Sequence, residues 1–144
     1  MAKEGKGDGG DRVVAANRKA LHDYHIDARF EAGLVLTGTE IKSIRAGQIS
    51  LQEAYAQIEN GEAWLLGAHV APYEHAGYAS HEPLRKRKLL LHAKEIAQLA
   101  FDLKTKGVTL VPLKVYLKGG RAKLELGLAR GKKLQDKRQA IRAK

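Results

Sequence analysis

Cysteine is absent from the 144 residues. Its absence excludes disulfides, thiolate zinc sites and cysteine nucleophiles, and leans mildly toward a reducing compartment. No apolar run approaches the roughly 20 residues that cross a bilayer, and the N-terminus lacks the hydrophobic region of a signal peptide. A soluble, cytoplasmic protein is therefore expected. Aromatics make up only 6% of the chain. That weakens the reading as a single-strand-binding module, which needs exposed rings to stack on bases, and Phe30 and Trp64 fall in apolar phase. The acids are scattered, no two forming a general acid/base pair, and no serine sits in a nucleophile elbow.

The motifs that suggest small-ligand chemistry do not hold up. Gly131-Lys132-Lys133 is suggestive of a phosphate loop, but that motif needs Gly at position 126 and Ser or Thr at 133, where Leu126 and Lys133 stand. The six histidines, His22, His25, His69, His75, His81 and His92, include no pair at i, i+4. His22 and His25 would lie on opposite faces of an extended strand, so neither a metal site nor a histidine nuclease is favoured. His75 and His81, in a loop with Tyr73 and Tyr78, are placed to stack on or bond to RNA.

What the chain has is positive charge, unevenly spread. The net charge is +10 and the pI about 9.9. From Gly127 onward Arg130, Lys132, Lys133, Lys137, Arg138, Arg142 and Lys144 face only Asp136. Such a segment has almost nothing apolar with which to dock onto a core and reads as an arm for a polyanion, RNA above all. The body between is close to balanced. Its densest run, Arg85-Lys86-Arg87-Lys88 before Leu89-Leu90-Leu91, reads either as a phosphate-contacting ridge of uncompensated charge or as a solvated loop before a core strand.

The patterning predicts a mainly β domain. Tyr24, Ile26, Ala28 and Phe30 alternate with polar residues as in a half-buried strand. Thr39 is expected to cap a short helix with Glu40 in its first turn, Ile41 and Ile44 inward and Gly47 at its end. Ala54, Ala56 and Ile58 lead to Asn60-Gly61, a strong hairpin signal, and Trp64, Leu66, Ala68 and Val70 share the inward face of the return strand. A loop over 71–84 precedes a helix from His92 to Lys106 with stripe Ile96, Leu99, Ala100 and Leu103. A second hairpin carries Val111, Leu113, Val115 and Leu117 to Gly119-Gly120, and Leu124, Leu126 and Leu128 back. The expected fold is an OB-like antiparallel β-barrel with short flanking helices. Residues 1–16 are expected as a disordered leader, 17–129 as the barrel and 130–144 as a basic tail, disordered when free. Glu31 faces outward just before Ala32-Gly33, where close backbone approach is possible. It reads equally as an acceptor for RNA donors or as an ordinary surface carboxylate.

Several strings are more specific. Asn17-Arg18-Lys19-Ala20 with His22 and Tyr24, Glu31-Ala32-Gly33, Gly38 through Gly47, Arg85 through Leu91, Thr109 through Lys114, and Gly131-Lys132-Lys133 with Asp136-Lys137-Arg138 occur in order. Together they resemble the small protein B family, the transfer-messenger-RNA-binding (SsrA-binding) proteins, from about Asn17 to Arg138. The resemblance implies an OB-like barrel that binds the tRNA-like domain of transfer-messenger RNA and carries it to stalled ribosomes. There the nascent peptide is tagged and the ribosome released, with no catalysis and no cofactor on the protein. The implied partners are that RNA, the small-subunit decoding region and message channel, and elongation factor Tu through the shared RNA. By position, Asn17, Lys19, His22, Glu31, Arg45, Arg85, Arg87, Lys88, Leu91 and Lys123 resemble the RNA-binding face. Gly131, Lys132, Lys133, Asp136, Lys137 and Arg138 match the ribosome-engaging tail, which becomes helical in the channel. The loop Gly77-Tyr78-Ala79-Ser80 lacks the asparagines that many members show. The chain stops six residues after Arg138, where members usually continue with a longer basic tail; if that end is a shortened form, RNA binding should survive while tagging fails.

Overall fold

At the centre of the main sheet β2, Tyr24–Leu34, pairs with β9, Arg121–Gly131, and the other strands of that sheet extend to either side. The computed structural model describes residues 12–73 and 80–131. In chain order the other elements are β1 (Arg12–Ala16), α1 (Arg18–Asp23), α2 (Gly38–Arg45), β3 (Ile49–Ser50), β4 (Tyr55–Glu59), β5 (Glu62–Leu66), β6 (His69–Val70), β7 (Arg87–Leu90), α3 (Ala93–Thr105) and β8 (Thr109–Lys118). Seven strands form one sheet in the order β1-β8-β9-β2-β7-β5-β4, and β3 pairs with β6. Every ladder is antiparallel. The fold is thus mostly antiparallel sheet with three short helices among the described residues.

The period-two pattern of β2 appears as exposed His25, Asp27, Arg29 and Glu31 between half-buried Tyr24, Ile26, Ala28 and Phe30. Its inner face joins Leu124 and Leu126 of β9, Val115 of β8, Leu65 of β5 and Leu89 of β7 in one core, which Ile44 of α2 and Leu99 of α3 cap. Burying each such side chain contributes roughly 1.5–3 kcal/mol. The helix stripe on α3 holds, and Gly107, at φ 63, follows its end.

Two bulges divide the packing. The register shifts between Ile26 and Ala28 and between Pro112 and Lys114. A bulge tolerates the missing N–H of proline and turns the next side chains toward a different layer. Val111 and Leu113 therefore pack with Ala20 and Ala129 beneath α1, whereas Val115 and Leu117 enter the main core.

Three expectations are corrected. Arg12–Ala16, expected in a disordered leader, is a strand paired with β8. At the other end, Arg130 and Gly131, expected in a disordered tail or at its edge, belong to β9. In the return strand, Ala63 and Leu65 are the inward residues, while Trp64 and Leu66 point to the other face. Gly67, at φ +73, breaks the strand, so the phase is reset before Ala68 and Val70 turn inward. Asn60 and Gly61, at φ 53 and 75, form the expected tight turn.

Candidate nucleic-acid interface

The outer face of β8, β9 and β2 is a lattice of charge. Glu31 and Glu125 are direct cross-strand partners, a repulsive pairing unless each finds a donor. Arg29 donates from Nη1 to Glu125 Oε1 at 2.9 Å. Tyr116 donates its phenolic proton to Glu31, and Lys118 Nζ stands 3.5 Å from the same oxygen. The Tyr116 hydrogen bond outweighs the burial that would raise the Glu31 carboxyl, and with Lys118 and Lys123 holds it below the usual range. One rung further, Arg130 donates from Nε to Asp27 at 2.8 Å.

Where β2 ends, this face opens into a groove of about 330 Å³ lined by Glu31, Gly33, Leu90, Leu91, His92, Glu95 and Lys123. Lys123 pairs with Gly33, and the Leu90 side chain packs over the bare glycine backbone, where an added Cβ would stand 3.4 Å from Leu90 Cβ. Leu90 ends β7 and is 54% exposed. A second groove, of about 370 Å³, shares Gly33, Leu90 and Lys123 and runs on past Leu34, Leu36 and Ile41 to Gly120 and Arg121. The two form one trough with an apolar floor and charged walls. Glu31, Leu91 and Lys123, far apart in sequence, are brought together there.

Other sequence-predicted residues lie elsewhere. Lys19 and His22 are exposed on α1, beside the opposite end of β2, and His22 Nδ1 is 3.0 Å from Asp23. Lys19 borders two grooves of about 390 and 250 Å³ that flank this helix. Asn17 is buried and internally engaged. Its Oδ1 accepts from the N–H of Ala20 at 3.1 Å, capping α1, and its Nδ2 donates to the Pro112 carbonyl at 3.0 Å. Asn17 thus ties helix to bulge, with only 7% of its surface exposed, in the lining of the two grooves beside α1. Arg45 is exposed at the end of α2, where its Nη2 donates to Gly120 O at 3.2 Å.

The Arg85–Lys88 run is not the uncompensated ridge that its sequence suggests. Arg87 has no exposed surface. It donates from Nε to Glu40 Oε2 at 2.7 Å, from Nη1 to the carbonyls of Ala68 and Arg85, and from Nη2 to Pro83 O. Arg85, 36% exposed, reaches Glu40 Oε1 at 2.7 Å. Lys86 pairs with Glu59 at 3.1 Å and lies 4.4 Å over the Trp64 ring. Lys88 pairs with Glu62 at 2.6 Å. An alternating strand points successive side chains to opposite faces, so four consecutive cations cannot share one surface.

The residue that sequence reasoning undervalued is Glu40. It is fully buried, binds both arginines, and accepts from the Thr37 N–H at 2.8 Å. Thr37, not Thr39, caps α2, with its hydroxyl accepting from the N–H of Glu40. The spacing Thr37-x-x-Glu40 is the signal that could have found this reciprocal cap. Burial alone would raise the Glu40 pKa. Hydrogen bonds from Arg85 and Thr37 and the charges of Arg87 and Arg85 outweigh it and lower the value from 4.5 to about 2. Thr39 instead meets His81 Nδ1 at 2.9 Å, and His81 Nε2 lies 2.9 Å from Val70 O. Both ring nitrogens of His81 are engaged internally, which leaves neither for a hydrogen bond to RNA. His75, Tyr78 and the tail residues Lys132, Lys133, Asp136, Lys137 and Arg138 lie outside the described residues, as do positions 77–79 of the divergent loop. Among the described residues, no helix is long and apolar enough to cross a membrane.

Comparison with known proteins agrees closely. The family model described as SmpB protein matches residues 14–144. The SsrA-binding protein of Roseiflexus castenholzii is 61% identical over 137 residues, covering 94% of this chain and 87% of that protein. The SsrA-binding protein of Bacillus cytotoxicus is 57% identical over 136 residues, covering 94% and 88%. Among solved structures, a chain of "tmRNA-SmpB: a journey to the center of the bacterial ribosome" superposes with a TM-score of 0.68 at 51% identity, covering 81% of this chain and 82% of that one.

Proposed function

This chain belongs to the SmpB family, and on that premise we propose that it binds the tRNA-like domain of transfer-messenger RNA and delivers it to stalled bacterial ribosomes. The observation that carries the reading is the trough at the end of β2, where Glu31, Leu91 and Lys123 meet. A carboxylate held ionised accepts from base amino groups or 2′-hydroxyls. The leucine floor takes the apolar face of a ribose or base, and the ammonium takes a phosphate. The narrow, mixed site suits a folded RNA presenting several chemistries at once better than a bare strand.

Lys19 and His22 on α1 and Arg45 on α2 extend the RNA-facing set, with Arg85 and Lys88 at its periphery. Asn17 and Arg87 serve it by holding the scaffold. Gly131, Lys132, Lys133, Asp136, Lys137 and Arg138 are assigned to the ribosome, in the decoding region and message channel, while elongation factor Tu joins through the shared RNA. The barrel reading rests on β4 lying against β8, although they sit far apart in the ladder order. That approach brings the two ends of the sheet toward closure. The protein acts in the cytoplasm as an adaptor without catalysis of its own, as residues 12–131 grip one RNA and the cationic segment after them meets another.

A gel shift with a tRNA-like fragment of transfer-messenger RNA tests this. Saturable binding that weakens with salt, and that resists an excess of single-stranded RNA, is expected. Equal competition by single strands would overturn it.

A further inference from the structure

The trough runs past Lys123 to Gly120 and Arg121, and three elements bring arginines to this turn. Arg12 of β1 donates from Nη2 to the backbone carbonyl of Arg45 at 2.7 Å. Arg45, closing α2, donates from Nη2 to Gly120 O at 3.2 Å. Arg121 opens β9 immediately after Gly120. All three are exposed, and among the described residues none of them meets a carboxylate. The neighbouring Lys118, paired across the turn with Arg121, has only Glu31 at 3.5 Å.

This arrangement differs from that of Arg29 and Arg130 on the same sheet. Arg29 and Arg130 neutralise acids on adjacent strands. Arg12 and Arg45 are instead tethered to carbonyls, which fixes their stems without neutralising the charge and leaves further N–H donors toward solvent. Three cations held close together repel one another, and a multivalent oxyanion relieves that repulsion while receiving several donors. The apolar floor of Leu34, Leu36 and Leu90 leads to Arg121, so the anion that fits is one carried on a larger, partly apolar polymer.

We propose that Arg12, Arg45 and Arg121 form a phosphate subsite at the Gly119–Gly120 turn that receives the backbone of the same folded RNA strand whose sugars and bases occupy the trough. This rests on the RNA-binding reading of the trough. Arg121 is the clean probe, because it is exposed and its side chain makes no hydrogen bond or ion pair with another described residue. Arg12 and Arg45 also hold backbone, so their variants are read alongside thermal unfolding.

The experiment titrates the tRNA-like fragment with the full chain and its Arg121→Gln, Arg12→Gln and Arg45→Gln variants across salt. Lys123→Gln serves as the trough variant and Lys104→Gln, exposed on α3, as the charge-matched control. Arg121→Gln should weaken binding by about 3- to 10-fold near physiological salt and reduce the slope of log K against log salt by about one. Lys104→Gln should change neither. If Arg121→Gln keeps the parental affinity and slope while Lys123→Gln loses both, the subsite is refuted and the trough stands. If the unsubstituted chain itself fails to bind, the underlying reading falls, and the subsite with it.

Discussion

Arg87 and Glu40 form an ion pair at 2.7 Å in which neither side chain is exposed beyond 1%. Arg87 lies in the most basic stretch of the body, yet it joins β7 to the first turn of α2 and to the carbonyls of Ala68 and Pro83. Removing one partner strands the other. Glu40→Gln should therefore destabilise the fold by about 3–5 kcal/mol, read by urea or thermal unfolding. A charge reversal at Arg87 reports on folding, so loss of RNA binding in that variant says nothing about contact.

The same carboxylate sets an acid limit. Its folded pKa, about 2, lies below the ordinary 4.5. The stabilisation is fully present above the ordinary value and is lost as pH falls toward the folded one. Stability should decline between about pH 4.5 and pH 2. In Glu40→Gln the decline over that window should be shallower, as denaturant midpoints measured at each pH will show.

Tyr116→Phe removes the hydrogen bond that chiefly holds the Glu31 carboxyl down. The Glu31 titration followed by carbon-detected NMR should move upward, with little change in stability because both groups are at the surface. An unmoved titration would mean that Lys118 and Lys123 dominate instead.

Asn17→Ala should cost about 1–2 kcal/mol, since it deletes a helix cap and strips Pro112 of its partner. RNA affinity measured well below the melting range should be nearly unchanged. A large affinity loss with intact stability would restore Asn17 to the binding face.

Gly67→Ala combines two faults. The backbone sits at φ +73, and an added Cβ would come within 2.6 Å of the Glu53 carbonyl oxygen. The left-handed conformation alone costs roughly 1–2 kcal/mol in other residues, and the clash adds to it. The midpoint of denaturation should fall accordingly.

Elements with local signatures were legible in the sequence. The alternation of β2, the Asn60-Gly61 and Gly119-Gly120 turns and the stripe of α3 all appear as read, because period and turn chemistry are short-range properties. Phase beyond a break was not. Nothing local announces that Gly67 resets the strand, so Trp64 was placed inward when its ring lies under Lys86. The charge run misled for a related reason. Compensation by Glu59 and Glu40 arrives from 27 and 47 positions away and depends on tertiary placement. Leu91 and Lys123 came from family likeness alone, and Glu31 was evenly balanced between an RNA acceptor and an ordinary surface carboxylate; their convergence needs β2, β7 and β9 laid side by side.

The β2–β9 ladder also works as a ruler. Gly131 pairs with Tyr24 at one end, and Lys123 pairs with Gly33 at the other. At about 3.3 Å per residue along either strand, Gly131 lies roughly 26–30 Å from the trough. Inserting two residues into each strand, in matched register, would lengthen that interval by about 7 Å while preserving inward and outward faces. The distance between the trough and the end of β9 is thus a quantity that can be dialled independently of either.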